Sequence, residues 1–433
     1  MTIAIQYLRL FLHLPGGERR GIGYLSRFGD VYRVSFDDGY VDDAGRPTLS
    51  LLFRGGAEAD TRAILRSTRD ARLVRSDGHW PTWFAHLLPE GHNRERLARE
   101  RGCSPDDELE LLAAAGRDLA GAVEVEPVPA GDAIPTSVLA WHAAMGIDVT
   151  RPEVVAAPIE DAASLAGVVT KFSAIKDGRR YVVKRHGRPG AYILKLPSTR
   201  HPDLVDNELT GYRLSGVLDL DCAEAARIPL AQAELPEAVE FPHLLAVRRF
   251  DRGPEGRRVH MEEMAQAMGY APREKYGRGI EIDFPLMLRL LDRLSANPAN
   301  DVREAVRRLV AFVLMGNADA HLKNWALLYP DGHAPVLSPL YDPVCVTAFF
   351  DELAPHEYAL NRRVDRALSE LTWPGLRALL DASGVPRAAR LVQVARGTVN
   401  EAKAKWPRVL RDAPDNLRRS VERRLAGGVA LAN

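Results

Sequence analysis

Met315-Gly316-Asn317-Ala318-Asp319-Ala320-His321-Leu322-Lys323-Asn324 is the stretch on which the reading of this chain turns. Before it runs Val302–Met315, whose apolar residues recur at helical spacing. After it comes a strand-like run, Trp325-Ala326-Leu327-Leu328-Tyr329. So dense a set of polar side chains beside a core helix needs a chemical reason, because burying polar groups costs free energy. Asp319 and Asn324 stand five positions apart, with His321 and Lys323 between them.

That spacing is found in protein-kinase catalytic loops, where the Asp accepts a hydroxyl proton and the Asn holds magnesium. Eighteen residues past Asn324 comes Asp342, in Pro339-Leu340-Tyr341-Asp342. A further carboxylate after a strand hairpin suits the metal-binding Asp of phosphoryl-transfer enzymes. Two oxygen ligands plus ATP phosphates suffice for magnesium, which keeps several waters. Upstream, Lys195 lies in the strand-like Tyr192-Ile193-Leu194-Lys195-Leu196, as a phosphate-pairing Lys does. Glu208, on the helix-patterned Asp203–Leu218, could orient it. Ser164-Leu165-Ala166-Gly167-Val168-Val169-Thr170-Lys171 could cover phosphates. Val247-Arg248-Arg249-Phe250-Asp251-Arg252 looks like an inter-lobe hinge whose backbone could meet adenine.

Each residue also has a plainer reading. Asp319 and Asn324 both favour turns and caps. Lys195 could be an edge-strand charge, and Glu208 a solvated helix residue. Ser164 could cap a helix, Asp342 before Pro343 could be a turn pair, and His321 could be a satisfied core histidine. Order decides between the readings. Chance supplies one such match easily, but rarely loop, Lys, Glu, hinge, Asp-x4-Asn and Asp in that sequence.

The rest of the chain supplies the frame. Strand-like runs at Ala4–Leu14, Ile22–Leu25 and Asp30–Phe36 are punctuated by Pro15-Gly16-Gly17 and Asp38-Gly39. Ser104-Pro105-Asp106-Asp107 reads as the start of a helix that runs to Gly116. Prolines between Pro127 and Pro135 mark a linker. Strand-like Tyr181–Val183, Tyr192–Leu196 and Leu244–Val247 follow, and past Asp251 the pattern is mainly helical, starting with Met261–Met268. The expected architecture has an α+β N-terminal part and a mainly α C-terminal part. Its expected units are 1–126, a linker 127–160, a lobe 161–250 with the phosphate loop and lysine, and a helical lobe 251–433. A cleft between lobes is a common place for a ligand.

Composition narrows the functional classes. With 46% hydrophobic residues over 433 positions the chain can build real cores, which excludes a mostly disordered protein. Lys plus Arg and Asp plus Glu are both 58, so bulk charge does not hold this chain to nucleic acid. Cys103, Cys222 and Cys345 lie far apart and form no disulfide or zinc pattern. No run reaches the length of a membrane span, and the apolar start lacks the flanks of a signal peptide. The expected location is the cytoplasm.

The motifs together resemble the HipA family of bacterial toxin kinases. The carrying residues are Ser164–Gly167, Ile193-Leu194-Lys195-Leu196-Pro197, Asn207-Glu208, Arg249–Arg252, Gly316–Asn324 and Pro339–Asp342. In the first unit they are Leu87-Leu88-Pro89-Glu90-Gly91, Asn93-Arg94, Leu97-Ala98-Arg99 and Gly121-Ala122-Val123. The resemblance covers nearly the whole chain. It implies a two-lobed protein-kinase-like fold with an extra N-terminal subdomain at 1–126. It implies a serine/threonine protein kinase, the toxin of a type II toxin–antitoxin pair, using ATP and Mg2+. Asp319 would be the catalytic base, and Asn324 and Asp342 the magnesium ligands. Ala166, Gly167, Val168, Val169, Thr170, Lys171, Lys195, Arg248, Phe250, His321, Asn324, Tyr341 and Asp342 would line the nucleotide. Ser164 would be the autophosphorylated residue. The implied partners are a HipB-like DNA-binding antitoxin and a protein substrate such as glutamyl-tRNA synthetase, with DNA reached only through the antitoxin.

Two departures stand out. Val169-Thr170 replaces a polar Gln-Glu pair common in the family loop, and Arg248 stands where an acid often precedes Arg-Phe-Asp. They support an alternative, a pseudokinase that acts as an antitoxin-binding co-repressor. A third reading, a metallohydrolase, would rest on Asp319-x-His321 and Asp77-Gly78-His79.

Overall fold

The computed structural model describes residues 5–129, 131–144, 153–165, 170–197, 200–236, 239–352, 356 and 358–433. In the N-terminal strands Leu8, Leu10 and Leu12 join one buried cluster and Ile5 and Tyr7 another, and turn residues break the runs. β1 (Ile5–His13) and β2 (Arg19–Phe28) pair antiparallel around the Pro15-Gly16-Gly17 turn. β3 (Val31–Phe36), β4 (Val74–Arg75) and β5 (Val123–Pro127) complete an antiparallel sheet in the order β4-β3-β2-β1-β5. The edge strand β5 therefore runs up to the start of the expected linker. Trp80, Trp83 and Phe84 are fully buried in the core behind this sheet. The helix Glu108–Ala115 is capped by Asp107, whose side chain accepts from the Glu110 N–H. Ser104, at the head of the expected helix start, accepts from the Asp106 N–H in the preceding turn.

The linker carries more structure than its prolines suggest. A helix, Thr136–Ala144, places Val138 and His142 against Tyr7 of β1. Beyond it lies a six-stranded sheet in the order β10-β7-β6-β8-β11-β9. Its strands are β6 (Lys171–Asp177), β7 (Arg180–Val182), β8 (Tyr192–Lys195), β9 (Ala225–Pro229), β10 (Ala233–Glu234) and β11 (His243–Arg248). Phe172, Leu194, Leu244 and Ala246 form its small core. The helix Leu204–Gly216 packs beside this sheet. Gly211 lies on the face of this helix that meets the Asp342-Pro343 segment, where a Cβ would collide with the Pro343 carbonyl.

The C-terminal half is mainly helical, with one small sheet of β12 (His260–Glu263), β13 (Ala326–Tyr329) and β14 (Val336–Leu337). The expected helix Met261–Met268 is thus a strand followed by a short helix, Met264–Ala267. Glu262 explains the change. Its buried carboxylate accepts from Ser50 Oγ at 2.6 Å, the Leu51 N–H at 3.0 Å and Trp83 Nε1 at 3.0 Å, and from the Tyr329 hydroxyl. A buried carboxylate with several partners outweighs local helix propensity. The central helix Pro298–Met315 is buried almost throughout and ends at the left-handed C-cap Gly316. Helices Ile280–Leu294, Ala359–Ser369, Trp373–Ser383, Ala388–Leu410 and Asp415–Arg423 complete this half.

A buried ionic cluster ties the three parts together. Asp118 accepts from Arg185 at 2.6 Å, Ser173 Oγ at 2.7 Å, Arg249 at 2.8 Å and Arg252 at 3.0 Å. Asp251 accepts from Arg249 at 2.8 Å, Arg252 at 2.7 Å and the Gly121 N–H at 2.8 Å. The Arg249-Phe250-Asp251-Arg252 motif is therefore a clamp as well as a connection between lobes.

Candidate active site

Lys195 ends β8 with its ammonium buried between two carboxylates. Its Nζ donates to Glu208 Oε1 at 2.6 Å and to Asp342 Oδ1 at 2.6 Å. Glu208 reaches it from the helix Leu204–Gly216, and Asp342 from the loop after β14. Lys171, at the start of β6, lies 3.9 Å from the other Asp342 oxygen. Burial pushes the Glu208 carboxyl up, against the pull of Lys195. Burial would also raise Asp342, but Lys195 and then Lys171 outweigh it and hold that carboxyl well below its usual range. Burial disfavours charge on Lys195 as well, yet Asp342 and Glu208 keep it firmly protonated. Lys171 goes down, through burial first and the neighbouring Lys195 second. The site thus holds an ionised Asp342 beside two lysines. Asp342 has φ 56, in the left-handed region that few side chains adopt, and its N–H donates to the Tyr212 hydroxyl at 3.1 Å. Such conformations persist where neighbours hold them, and they concentrate at functional sites.

The second cluster is the loop after Gly316. Asp319 is half-buried, and its backbone carbonyl accepts from Asn324 Nδ2 at 2.8 Å. This bond uses one of the two N–H groups of the Asn324 amide, and the amide oxygen has no partner among the described residues. One oxygen of Asp319, Oδ1, accepts from the Tyr276 hydroxyl and from Asn361 Nδ2 at 3.0 Å. His321 stands edge-on to the Tyr276 ring at 5.2 Å, and its buried Nδ1 has no hydrogen-bond partner among the described residues. Burial lowers its pKa despite the nearby Asp319, and Asp342 also acts on it electrostatically. Tyr341 joins the two clusters: its hydroxyl donates to the Lys323 carbonyl at 2.6 Å, and its ring meets Phe250 at 5.3 Å.

The structure brings Lys171, Lys195, Glu208, Asp319, His321, Asn324, Tyr341 and Asp342 into these two linked clusters. Phe250 lies against Tyr341, whereas the exposed Arg248 pairs with Glu224 at 3.2 Å. The Arg248 and Arg249 N–H groups donate to the Glu224 and Ala191 carbonyls. Thr170 offers its carbonyl to the Leu196 N–H, next to Lys195. Ser164 is buried, with its N–H on the Asp118 carbonyl at 3.0 Å. Ala166, Gly167, Val168 and Val169 lie outside the described residues.

Three residues of the site escape local pattern reading. Tyr276 and Asn361 stand 43 and 42 positions from Asp319. The third is Glu90, from the Leu87–Gly91 motif, whose carboxylate meets the buried Lys323 ammonium of the loop at 2.5 Å. That motif signals an important position without saying what it touches.

The oxygen donors Asn324 and Asp342 suit a hard cation such as magnesium, and the lysines suit phosphate. Asp77 is taken by Arg75 and His79 by Glu108. Among the described residues no group of three or more His, Cys, Asp or Glu side chains is placed to hold a metal. The ligand set expected of a metallohydrolase is thus not assembled among them. No helix among them is long and apolar enough to cross a membrane.

Comparison with known proteins gives the family and the fold. Residues 163–406 match the HipA-like C-terminal domain, and residues 17–126 match the HipA N-terminal domain. A protein of Sinorhizobium fredii, Y4dM, named provisionally as a kinase, is 34% identical over 88% of this chain and 87% of its own. The serine/threonine-protein kinase toxin HipA of Shewanella oneidensis is 27% identical over 72% of this chain and 74% of its own. A solved structure of Shewanella oneidensis HipA with HipB and operator DNA superposes with a TM-score of 0.63. It is 21% identical and covers 98% of this chain and 96% of that one. This likeness shows the fold, a two-lobed kinase-like architecture with an added N-terminal part. The chain belongs to the HipA family of kinase-like toxins.

Proposed function

We propose that this protein is an ATP-dependent serine/threonine protein kinase and the toxin of a type II toxin–antitoxin pair. The observation that carries the proposal is Lys195 held between Glu208 and Asp342, beside a loop that presents Asp319 and Asn324. Magnesium bound with ATP would neutralise phosphate charge as it develops during transfer. Asn324 and Asp342 are the residues that would hold it. Lys195 and Lys171 would lie against the phosphates and offset their charge. Glu208 keeps Lys195 in place. Asp319 would orient an acceptor hydroxyl and take its proton while ATP's terminal phosphoryl moves in line.

The same proposal gives this chain a HipB-like antitoxin as partner and a protein hydroxyl as acceptor. An aminoacyl-tRNA synthetase is the substrate class to test first. Ser164 is the proposed autophosphorylation site, and its side chain would have to leave its buried place to be reached. The Val169-Thr170 pair favours a second reading, an antitoxin-binding pseudokinase. Calorimetry separates the two roles within the site. Asp319→Ala is expected to bind Mg-ATP as the wild type does, and Asp342→Ala at least tenfold more weakly, roughly the 1.4 kcal/mol of one lost ligand contact. Equal binding by wild type and Asp342→Ala would refute the metal assignment.

A further inference from the structure

Asp319 is held by residues outside its own loop. The Tyr276 hydroxyl donates to Oδ1, and Asn361 Nδ2 reaches the same oxygen at 3.0 Å. Asn361 is buried, and its amide also lies 3.1 Å from the Ala318 carbonyl and 3.1 Å from the Tyr276 oxygen. The other oxygen, Oδ2, has no partner among the described residues.

Tyr276 is itself fixed from several sides. The Leu322 N–H donates to the Lys275 carbonyl at 2.8 Å, which ties the Tyr276 segment to the catalytic loop. The following turn wraps the buried Asp283, whose Oδ2 accepts the Arg278 N–H at 2.6 Å and the Gly279 N–H at 2.9 Å. Gly277, with φ 67, leaves room for that carboxylate, which any Cβ there would strike. The Tyr276 ring meets His321 edge-on. Burial and then Asp319 raise the Tyr276 pKa, so the hydroxyl stays protonated and donates.

We infer that Tyr276 and Asn361 are positioning residues for Asp319: they anchor one carboxylate oxygen and turn the other toward the acceptor hydroxyl. The inference rests on the kinase reading above. Two donors on one oxygen fix the plane of the carboxylate. Proton acceptance is sensitive to that orientation, whereas ATP binding, through Lys195 and Asp342, is not.

The test uses the full chain and radiolabelled Mg-ATP. It follows the maximal rate of phosphate incorporation, the half-saturating ATP concentration and the thermal midpoint. Tyr276→Phe keeps the ring on His321 and removes one bond to a charged acceptor. The expected result is a rate lower by about tenfold to a hundredfold, the size of such a bond. Half-saturating ATP should change by less than about twofold, since uniform binding is untouched. Asn361→Ala, an independent variant on the helix Ala359–Ser369, should show the same split. A purely structural role would instead lower the thermal midpoint and weaken ATP together. An unchanged or faster rate in Tyr276→Phe would overturn the inference and leave the kinase reading intact. A wild type that transfers no phosphate would overturn the kinase reading, and this inference with it.

Discussion

Glu90→Gln tests whether the N-terminal part belongs to the catalytic centre. Glu90 precedes the helix Gly91–Arg101 and reaches Lys323, which sits between His321 and Asn324 in the proposed catalytic loop. The Lys323 side chain is 2% exposed and that of Glu90 23%. Removing one partner of a buried pair costs about 3–5 kcal/mol, because a charge is left behind. Two features reduce that figure here. Glu263 remains 3.5 Å from Lys323, although it is shared with His86 at 2.9 Å, and Glu90 itself is partly solvated. The expected loss is therefore about 1–3 kcal/mol of stability. Lys323 has further work, because its carbonyl accepts from Tyr341 and its neighbour is Asn324. A loosened loop should slow phosphotransfer by about tenfold or more. Denaturant unfolding and transfer rates would be compared for Glu90→Gln, Lys323→Met and the double variant. The double variant should lose less than the sum of the singles, by about 1–2 kcal/mol. Additive losses, or a Glu90→Gln protein identical to wild type, would refute the coupling.

Asp118→Asn should be among the most damaging single changes, since Arg185, Arg249 and Arg252 would lose a shared buried counter-charge. The expected cost is about 3–5 kcal/mol, read as a marked drop in the thermal midpoint, and a midpoint near wild type would contradict it. Acid sensitivity should appear through His260, which burial pulls from 6.5 down to about 4. The unfolded chain then binds the proton first, so stability is full above pH 6.5 and falls as pH drops toward 4. The contribution is at most about 3 kcal/mol, and His260→Gln should flatten the midpoint-versus-pH curve over that window.

The sequence carried the site's ingredients further than its assembly. Lys195, Glu208 and Asp342 were legible because each sits at a recognisable place on a strand, helix or turn, in a telling order. The structure joins them through one ammonium. Tyr276 and Asn361 were not legible, because no local spacing marks a residue more than forty positions from its partner. Arg249 and Arg252 were read for their backbone, whereas their side chains answer to Asp118, which only the folded chain brings near. The strand at His260–Glu263 was mistaken for helix because the buried partners of Glu262 come from Ser50, Trp83 and Tyr329. The helix Thr136–Ala144 hid behind the prolines that precede it. β9 was passed over because Ala225–Pro229 holds only one buried residue, Ile228, and so lacks an apolar pattern.

These residues are expected to transfer phosphate from ATP. Tryptic mass spectrometry of the full chain after incubation with Mg-ATP, alongside Asp319→Ala, tests this most directly. The expected result is an ATP-dependent phosphate on the Ser164 peptide of the wild type and none on the variant. Equal phosphate on both would contradict Asp319 as the base. No phosphate on the wild type, or on an added protein acceptor, would contradict the kinase itself.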